Sequence, residues 1–568
     1  MLGLHWADLL TLVGYFVLVT ALGIWAARGV KNMADFVLPR RFGKTLMVFF
    51  TFGAGTHSDQ AVSVASKSYT NGVSGIWYQW LWLFATPFYW PIAAMMRRFR
   101  ALTTADVFEL RYDRSVAVLF AIIGLMLYTV NIGVMLRGSA HVIEASTGGS
   151  LNADLAIAVM TVLFVVYGIA GGLHAAVLTD FIQGVLTVTF SFALLPFLLD
   201  AVGGLAALHH KIPADKLTLV APTEISAFYV AVIAFNGLVG IVTQPHVMGC
   251  CAAGRTELDG QIGFMGGNLL KRVCTIAWAL TGVAAIAYLA EQGMADINPD
   301  NVFGEIAYQF LPKILPGLLG LFLAGLLASV MSSCDAFMIS TSGLFTENIY
   351  KPLFPGRSPK HYLLIARVSS LFVVVAGVIF AYRLEGVVAG LEIFWKIGPM
   401  LGIAFWMGLF WRRMTAVGAW ASTLVAFGVW WLTTKPFFIN WVDSLPFADD
   451  WRLIFIRDGE AMIYLPWQMI FYLSTGALAG VCASLISRPT ESTKLDRFYA
   501  LVRTPITPGE TVEAPCTLPK GMTAPPARKL IPLQSFEIYV PSPQMWVGFV
   551  VGWLAVALLI ATFVWLIS

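Results

Sequence analysis

The sequence predicts an all-α polytopic membrane protein of about fourteen transmembrane helices, with an inverted five-plus-five-helix repeat core and a discontinuous first helix in each repeat. Three observations predict it. Of 568 residues 58% are hydrophobic and only 12% charged, about half the charged share of an ordinary soluble domain, and the chain keeps returning to uncharged runs near the about 20 residues that cross a bilayer. The basic residues gather in alternate loops. Two apolar segments are interrupted by glycine and polar residues at matching places, each at the start of a block of helices.

Taken in order, residues 1–43 give an N-terminal peripheral helix, about 6–26, and a cytoplasmic loop, RGVKNMADFVLPRRFGK (28–44). The helix has no basic leader and no small-residue cleavage site before polar chain, so it is read as retained. The first repeat, 44–199, holds helices at about 44–66, 73–96, 115–146, 153–171 and 174–199. Its last two are separated only by GGLH, but together they are too long for one crossing. An extracellular loop, 200–221, leads to the second repeat, 222–410, with helices at about 222–250, 262–290, 314–345, 361–382 and 386–410. Residues 411–486 add peripheral helices at about 415–433 and 464–486 with an extracellular loop between them. The segment 487–541 is broken by Pro505, Pro508, Pro515, Pro519, Pro525, Pro526 and Pro532, which disfavours a helical domain and suggests an extended cytoplasmic tether or a cover over the helices. Residues 542–568 supply the last helix, about 543–566.

The formal charge of +4 comes from clusters at 28–44, 97–114, 351–360 and 487–541, whereas loops such as EQGMADINPDNVFGE (291–305) are acidic. That alternation is the positive-inside pattern rather than a nucleic-acid surface. It places both termini outside a bacterial cytoplasmic (inner) membrane, with lipids as the surrounding partner. The six cysteines have no paired spacing, so a disulfide scaffold is not expected. No Walker sequence and no nucleophile, base and orienting group emerge, which argues against ATP hydrolysis and against an enzyme.

The interruptions are TFGAGTHSDQAVSVASKSYTNG (51–72) and FNGLVGIVTQPHVMG (235–249). A broken membrane helix frees carbonyl and amide groups that protein, water or ligand must satisfy, and paired breaks near the midplane form solute and ion sites in transporters. The second repeat also contains ASVMSSCDAFMIS (328–340), whose Ser329, Ser332 and Ser333 share one helical face. Hydroxyls on one face combined with carbonyls freed by a break suit a hard cation.

Three stretches resemble the sodium:solute symporter family of sodium–sugar, sodium–proline and related carriers: AGGLHAAVLTDFIQ (170–183), QPHVM (244–248) and AGLLASVMSSCDAFMISTSGLFTENIYKP (324–352). The resemblance implies alternating access driven by a sodium gradient, with sodium ion held by the backbone of Ser329, the hydroxyls of Ser332 and Ser333, and carbonyls from Gly53 and Thr56. It puts Asp180, the acidic position of TDxxQ, near a cytoplasmic helix end with a part in ion release or gating. Asp335 lies off the serine face and is assigned to organising the site or to an ordinary structural pairing. Gln60 and Asn236 fall where the sugar carriers use polar groups, and Val239 stands where those carriers can place an aromatic gate, a departure from a sugar substrate.

Further polar groups inside the membrane bear on the solute, expected to be a small polar organic molecule, a carboxylate or an amino acid among the choices. Gln79, Asn131 and Gln244 are candidate contacts or helix-end partners. Arg137 is either a clamp for a solute carboxylate or paired with Glu144 or Asp59, or snorkelling outward. His57 and Asp59 form a candidate proton-responsive pair, which keeps proton coupling as the alternative to sodium. His246 is read as structural, near the cytoplasmic end. A solute-sensing subunit that signals to a protein partner through 487–541 is the remaining alternative.

Overall fold

Only helices and closed barrels satisfy every backbone polar group in hydrocarbon, and helices dominate the described chain. The computed structural model describes residues 4–27, 42–221, 224–457, 459–507, 509–510 and 512–568, without the side chains of 23–24, 26–27, 163–164, 166–179, 335 and 457. Among the described residues, 8 helices are long and apolar enough to cross a membrane, or up to 10 if each sharply bent pair is one span. The sequence expects about fourteen crossings. A criterion of unbroken length does not register interrupted spans, and the first broken span is one of these.

That span runs as Lys44–Gly55, extended backbone at Thr56 (φ −127°) and His57 (φ −122°), then Ser58–Asn71. The second runs as Ala227–Ile241 and His246–Ala252, bent by 76°. Both breaks fall within the stretches where glycine, proline and polar residues interrupt the apolar pattern. Between 153 and 193 the outcome differs from the sequence expectation, because one helix, Ala153–Ala193, replaces two. The GGLH junction contains no proline, and glycine costs a helix only about 1 kcal/mol against alanine. At 1.5 Å per residue the 41 residues extend about 60 Å, twice the about 30 Å hydrocarbon core.

Each broken span is held against a long helix by glycines. On Glu257–Glu291, a Cβ at Gly263 would fall 2.5 Å from the Met47 Cβ, one at Gly267 2.6 Å from the Val48 carbonyl, and one at Gly282 2.4 Å from the Ala65 carbonyl. On Val387–Phe410, Gly402 meets the Val239 carbonyl, while Gly240 of the second span meets Pro399. Small residues let helix backbones approach closely where lipid offers no hydrophobic drive for association.

Outside the core, Ala416–Leu432 packs on Leu465–Ile486. The connection expected as a loop contains a short helix, Pro436–Asp443, and an antiparallel hairpin pairing Ile454–Arg457 with Glu460–Ile463. The segment after Ser487 lies over the arginine-rich end of the bundle, as a cover that includes one helix, Ser492–Arg503. Buried Arg100 pairs with Glu510 at 2.8 Å, and Arg412 reaches Asp496 at 2.6 Å and Glu537 at 2.7 Å.

Candidate ion and solute site

The serine face lies on the helix Leu318–Gly343, packed against Lys44–Gly55 and Ala153–Ala193. Ser329, Ser332 and Ser333 are all buried. The Ser333 hydroxyl donates to the Gly53 carbonyl at 3.1 Å and to the Ser329 carbonyl at 3.0 Å, so the second serine bridges its own helix and the first break. The Ser329 hydroxyl donates to the Leu326 carbonyl at 2.8 Å, leaving Ser329 to contribute through its backbone. The Ser332 hydroxyl donates to Asp180 Oδ1.

Asp180 is therefore brought onto the serine face, fully buried, rather than standing apart at a helix end. Its Oδ2 has no hydrogen-bond partner, and neither do the buried hydroxyls of Thr51 and Thr56. An unpaired buried carboxylate oxygen is costly unless a cation or donor meets it. The carbonyls of Gly53 and Ser329, two serine hydroxyls and one carboxylate make an all-oxygen, singly negative donor set suited to a small hard cation. Thr56 stays close to this set through its amide, which donates to the Gly53 carbonyl at 3.3 Å. Asp335 belongs to the same helix, with its side chain outside the described residues.

On the other side of the first break lies a polar cavity of about 60 Å³. Gln60, Gln79, Asn131 and Gln244 line it together with His57 and His246. The Gln60 and Gln79 side-chain carbonyls are buried without partners and remain available to a ligand. His57 Nδ1 lies 3.2 Å from Asp59 Oδ1, forming the expected pair inside the break. The second break turns His246 into the cavity, where its ring lies 5.3 Å from that of Phe337.

Two expected solute contacts lie elsewhere. Asn236 is turned to other partners, donating to the Trp395 carbonyl at 2.9 Å and accepting from the Tyr472 hydroxyl at 2.5 Å. Arg137 does not line the cavity, and its guanidinium is 3.4 Å from Asp154, a residue two-thirds exposed. The partner is neither Glu144 nor Asp59, since the following helix starts beside Arg137 and offers its own first-turn acid, where a carboxylate also suits the helix dipole.

The cations that do line the cavity are Lys271 and Arg272, in GGNLLKRVCT of the helix Glu257–Glu291. Lys271 Nζ donates to the Gly55 carbonyl, and Arg272 donates to the Gln79 carbonyl at 2.8 Å. Both are buried. Among the described residues no carboxylate lies within ion-pair distance of either. The sequence signal was available, since a Lys-Arg pair inside an apolar helix meets the same criterion that singles out Arg137.

Two interrupted helices joined around a buried serine face and a polar cavity have the architecture of a secondary membrane carrier. The chain matches the sodium:solute symporter family over residues 9–426 and belongs to that family. It is 26% identical over 428 residues to the osmoregulated proline transporter OpuE of Bacillus subtilis (72% of this chain, 85% of that protein). It is 24% identical over 440 residues to the sodium/pantothenate symporter of Haemophilus influenzae (73% and 88%), and 26% identical over 451 residues to the sodium/proline symporter of Escherichia coli (73% and 86%). Among solved structures, a substrate-bound, outward-open Na+-coupled sialic acid symporter superposes with a TM-score of 0.69 at 16% identity, over 85% of this chain and 98% of that one. The protein is a multi-pass membrane transporter that uses sodium ion, not an enzyme.

Proposed function

We propose that the chain imports a small polar organic solute bearing a carboxylate, together with sodium, by alternating access. The observation that carries this reading is a pair of carbonyls two residues apart in the first break: Gly53 faces the serine helix and Gly55 faces Lys271. Sodium, as cargo, takes oxygens from Gly53, Ser329, Ser332, Ser333 and Asp180 and draws the two helices together. That fixes the extended link at Thr56 and His57, and with it the position of Gln60 beside the cavity. A solute carboxylate then replaces the Gly55 carbonyl on the Lys271 ammonium, an ion pair between opposite charges that is stronger than the ammonium–carbonyl bond it displaces. Gln60, Gln79, Asn131 and Gln244 orient the remaining polar groups of the solute. The cavity is smaller than the roughly 300 Å³ of a typical small-molecule site, so binding requires its aromatic walls, Trp82 and Trp395 among them, to separate. The basic end faces the cytoplasm of a bacterial cell in this reading, with both termini outside.

Purified protein in proteoliposomes, given a panel of carboxylates and their amides under imposed sodium and proton gradients, tests this. Concentrative uptake of a carboxylate, following the sodium gradient alone and lost in a Ser332→Ala, Ser333→Ala double variant, is the expected result. Equal uptake of the uncharged amides would remove the carboxylate from the reading. A second reading, proton coupling, is favoured by the His57 and Asp59 pair; accumulation that follows only the proton gradient would establish it instead.

A further inference from the structure

A second and larger cavity of about 570 Å³, which shares no lining residue with the solute cavity, opens at the arginine-rich end of the bundle. It lies between the helices Tyr89–Arg98 and Val387–Phe410, the start of Pro543–Ile567, and the covering segment after Ser487. Phe88, Ile92, Met95, Leu409 and Met545 give it apolar walls. From Arg98 at the rim to Phe88 is ten residues, about 15 Å along a helix. That depth is half the about 30 Å hydrocarbon core, one leaflet.

The rim is basic. Arg98 is committed to Glu257 at 2.7 Å. Glu537 is the acid at the rim, and its carboxylate is occupied by Arg412 at 2.7 Å, Lys529 at 3.1 Å and the Tyr539 hydroxyl at 2.6 Å. Arg503 donates only to neutral groups, the Pro525 carbonyl and the Tyr539 hydroxyl, each at 3.3 Å. Arg528 is exposed, and among the described residues no ion pair joins either of these arginines to a carboxylate. An apolar slot one leaflet deep under two guanidiniums that, among the described residues, have no carboxylate partner matches an amphipathic anion at the membrane surface. A soluble anion would use only the rim, and a neutral lipid only the walls.

We propose that this cavity binds an anionic phospholipid, with its phosphate on Arg503 and Arg528 and the upper part of its acyl chains against Phe88, Ile92, Met95, Leu409 and Met545. The basic loops place this end in the cytoplasm, where the leaflet carries negatively charged lipid. The bound lipid joins three parts that lie far apart in the sequence: a helix of the first repeat, a helix of the second, and the cover.

Native mass spectrometry of the full-length protein in detergent, titrated with phosphatidylglycerol or phosphatidylcholine, tests the proposal. Phosphatidylglycerol is expected to be retained at least tenfold more tightly, with the preference lost in Arg503→Gln, Arg528→Gln and reduced in Arg528→Gln alone, a change at an exposed position that leaves the fold intact. Met95→Trp, which fills the slot, should weaken both lipids, and sn-glycerol 3-phosphate should not displace bound phosphatidylglycerol. Equal retention of the two lipids, an unchanged preference in Arg528→Gln, or displacement by sn-glycerol 3-phosphate would overturn it, the last by revealing a site for a soluble phosphate. None of these readouts depends on the identity of the transported solute.

Discussion

Gly53 has ordinary helical backbone, and its missing side chain matters for space. A Cβ there would sit 3.2 Å from the Asp180 Cβ, the Asp180 Cγ and the Ser332 Oγ, whereas a Cβ at Gly55 would meet nothing within 4 Å. Gly53→Ala should therefore displace the carboxylate and hydroxyl and raise the sodium concentration for half-maximal uptake about tenfold, the equivalent of about 1.4 kcal/mol. Gly55→Ala should leave it nearly unchanged in the same assay. Removing the hydroxyl in Ser332→Ala leaves Asp180 Oδ1 buried without its donor, at a cost of about 1–3 kcal/mol. That Ser329, Ser332 and Ser333 share one face was legible in the sequence because helical spacing sets it, and the structure buries all three. The charge of Lys271 inside an apolar helix was visible as well, but spacing along one helix says nothing about which carbonyl of another helix its ammonium will meet. Lys271→Gln should raise KM for a carboxylate solute by tenfold or more while the sodium dependence stays put, a split that a general loss of folding would not give.

At the scale of elements, the helix Glu257–Glu291 works as a backbone-to-backbone seat for the first broken span. Gly282→Val would force a branched side chain against the Ala65 carbonyl, 2.4 Å from where its Cβ must go. Overpacking of this kind costs about 1–3 kcal/mol, and thermal unfolding in detergent should record it as a lower Tm. Gly428→Ala, on a peripheral helix with nothing within 4 Å, serves as the neutral comparison. Both breaks were legible because glycine, proline and polar residues disturb an apolar period, a local property. The continuity of Ala153–Ala193 was not, since GGLH reads equally well as a junction or as a tolerated pair of glycines. Arg137 illustrates the same limit. Its charge was conspicuous in the sequence, but the partner that quiets it, Asp154, comes from the start of the next helix.

Across the whole molecule, the cover after Ser487 is fastened by carboxylates that respond to acid. Burial opposes the ionisation of Glu510, but hydrogen bonds from Arg100 and the Thr507 amide, with the Arg100 charge, outweigh it and hold the carboxyl below its ordinary value. Burial likewise opposes ionisation at Glu537, and bonds from Tyr539, Arg412 and Lys529 overcome it. A depressed folded value means that the fastening contributes fully above the ordinary value of 4.5 and is lost as pH falls through the lowered one. Protease cleavage within 487–541 should thus be slow at neutral pH and rise only in acid, as pH falls from 4.5 through the lowered value. Arg100→Gln should produce the same exposure at neutral pH, because Arg100 is buried and donates to both carboxylate oxygens of Glu510.

By itself the sequence determined the membrane class, the two interruptions, the serine face and the arginine-rich end, each of them set by composition or by periodicity within a single element. Only the tertiary structure decided that Asp180 meets Ser332, that Lys271 rather than Arg137 faces the polar cavity, that Asn236 bonds Trp395 and Tyr472, and that the proline-rich segment closes over a large apolar-walled cavity. The physical reason is that helical period fixes direction within one helix, while the partner of a buried charge is chosen by which other helix packs close enough to satisfy it.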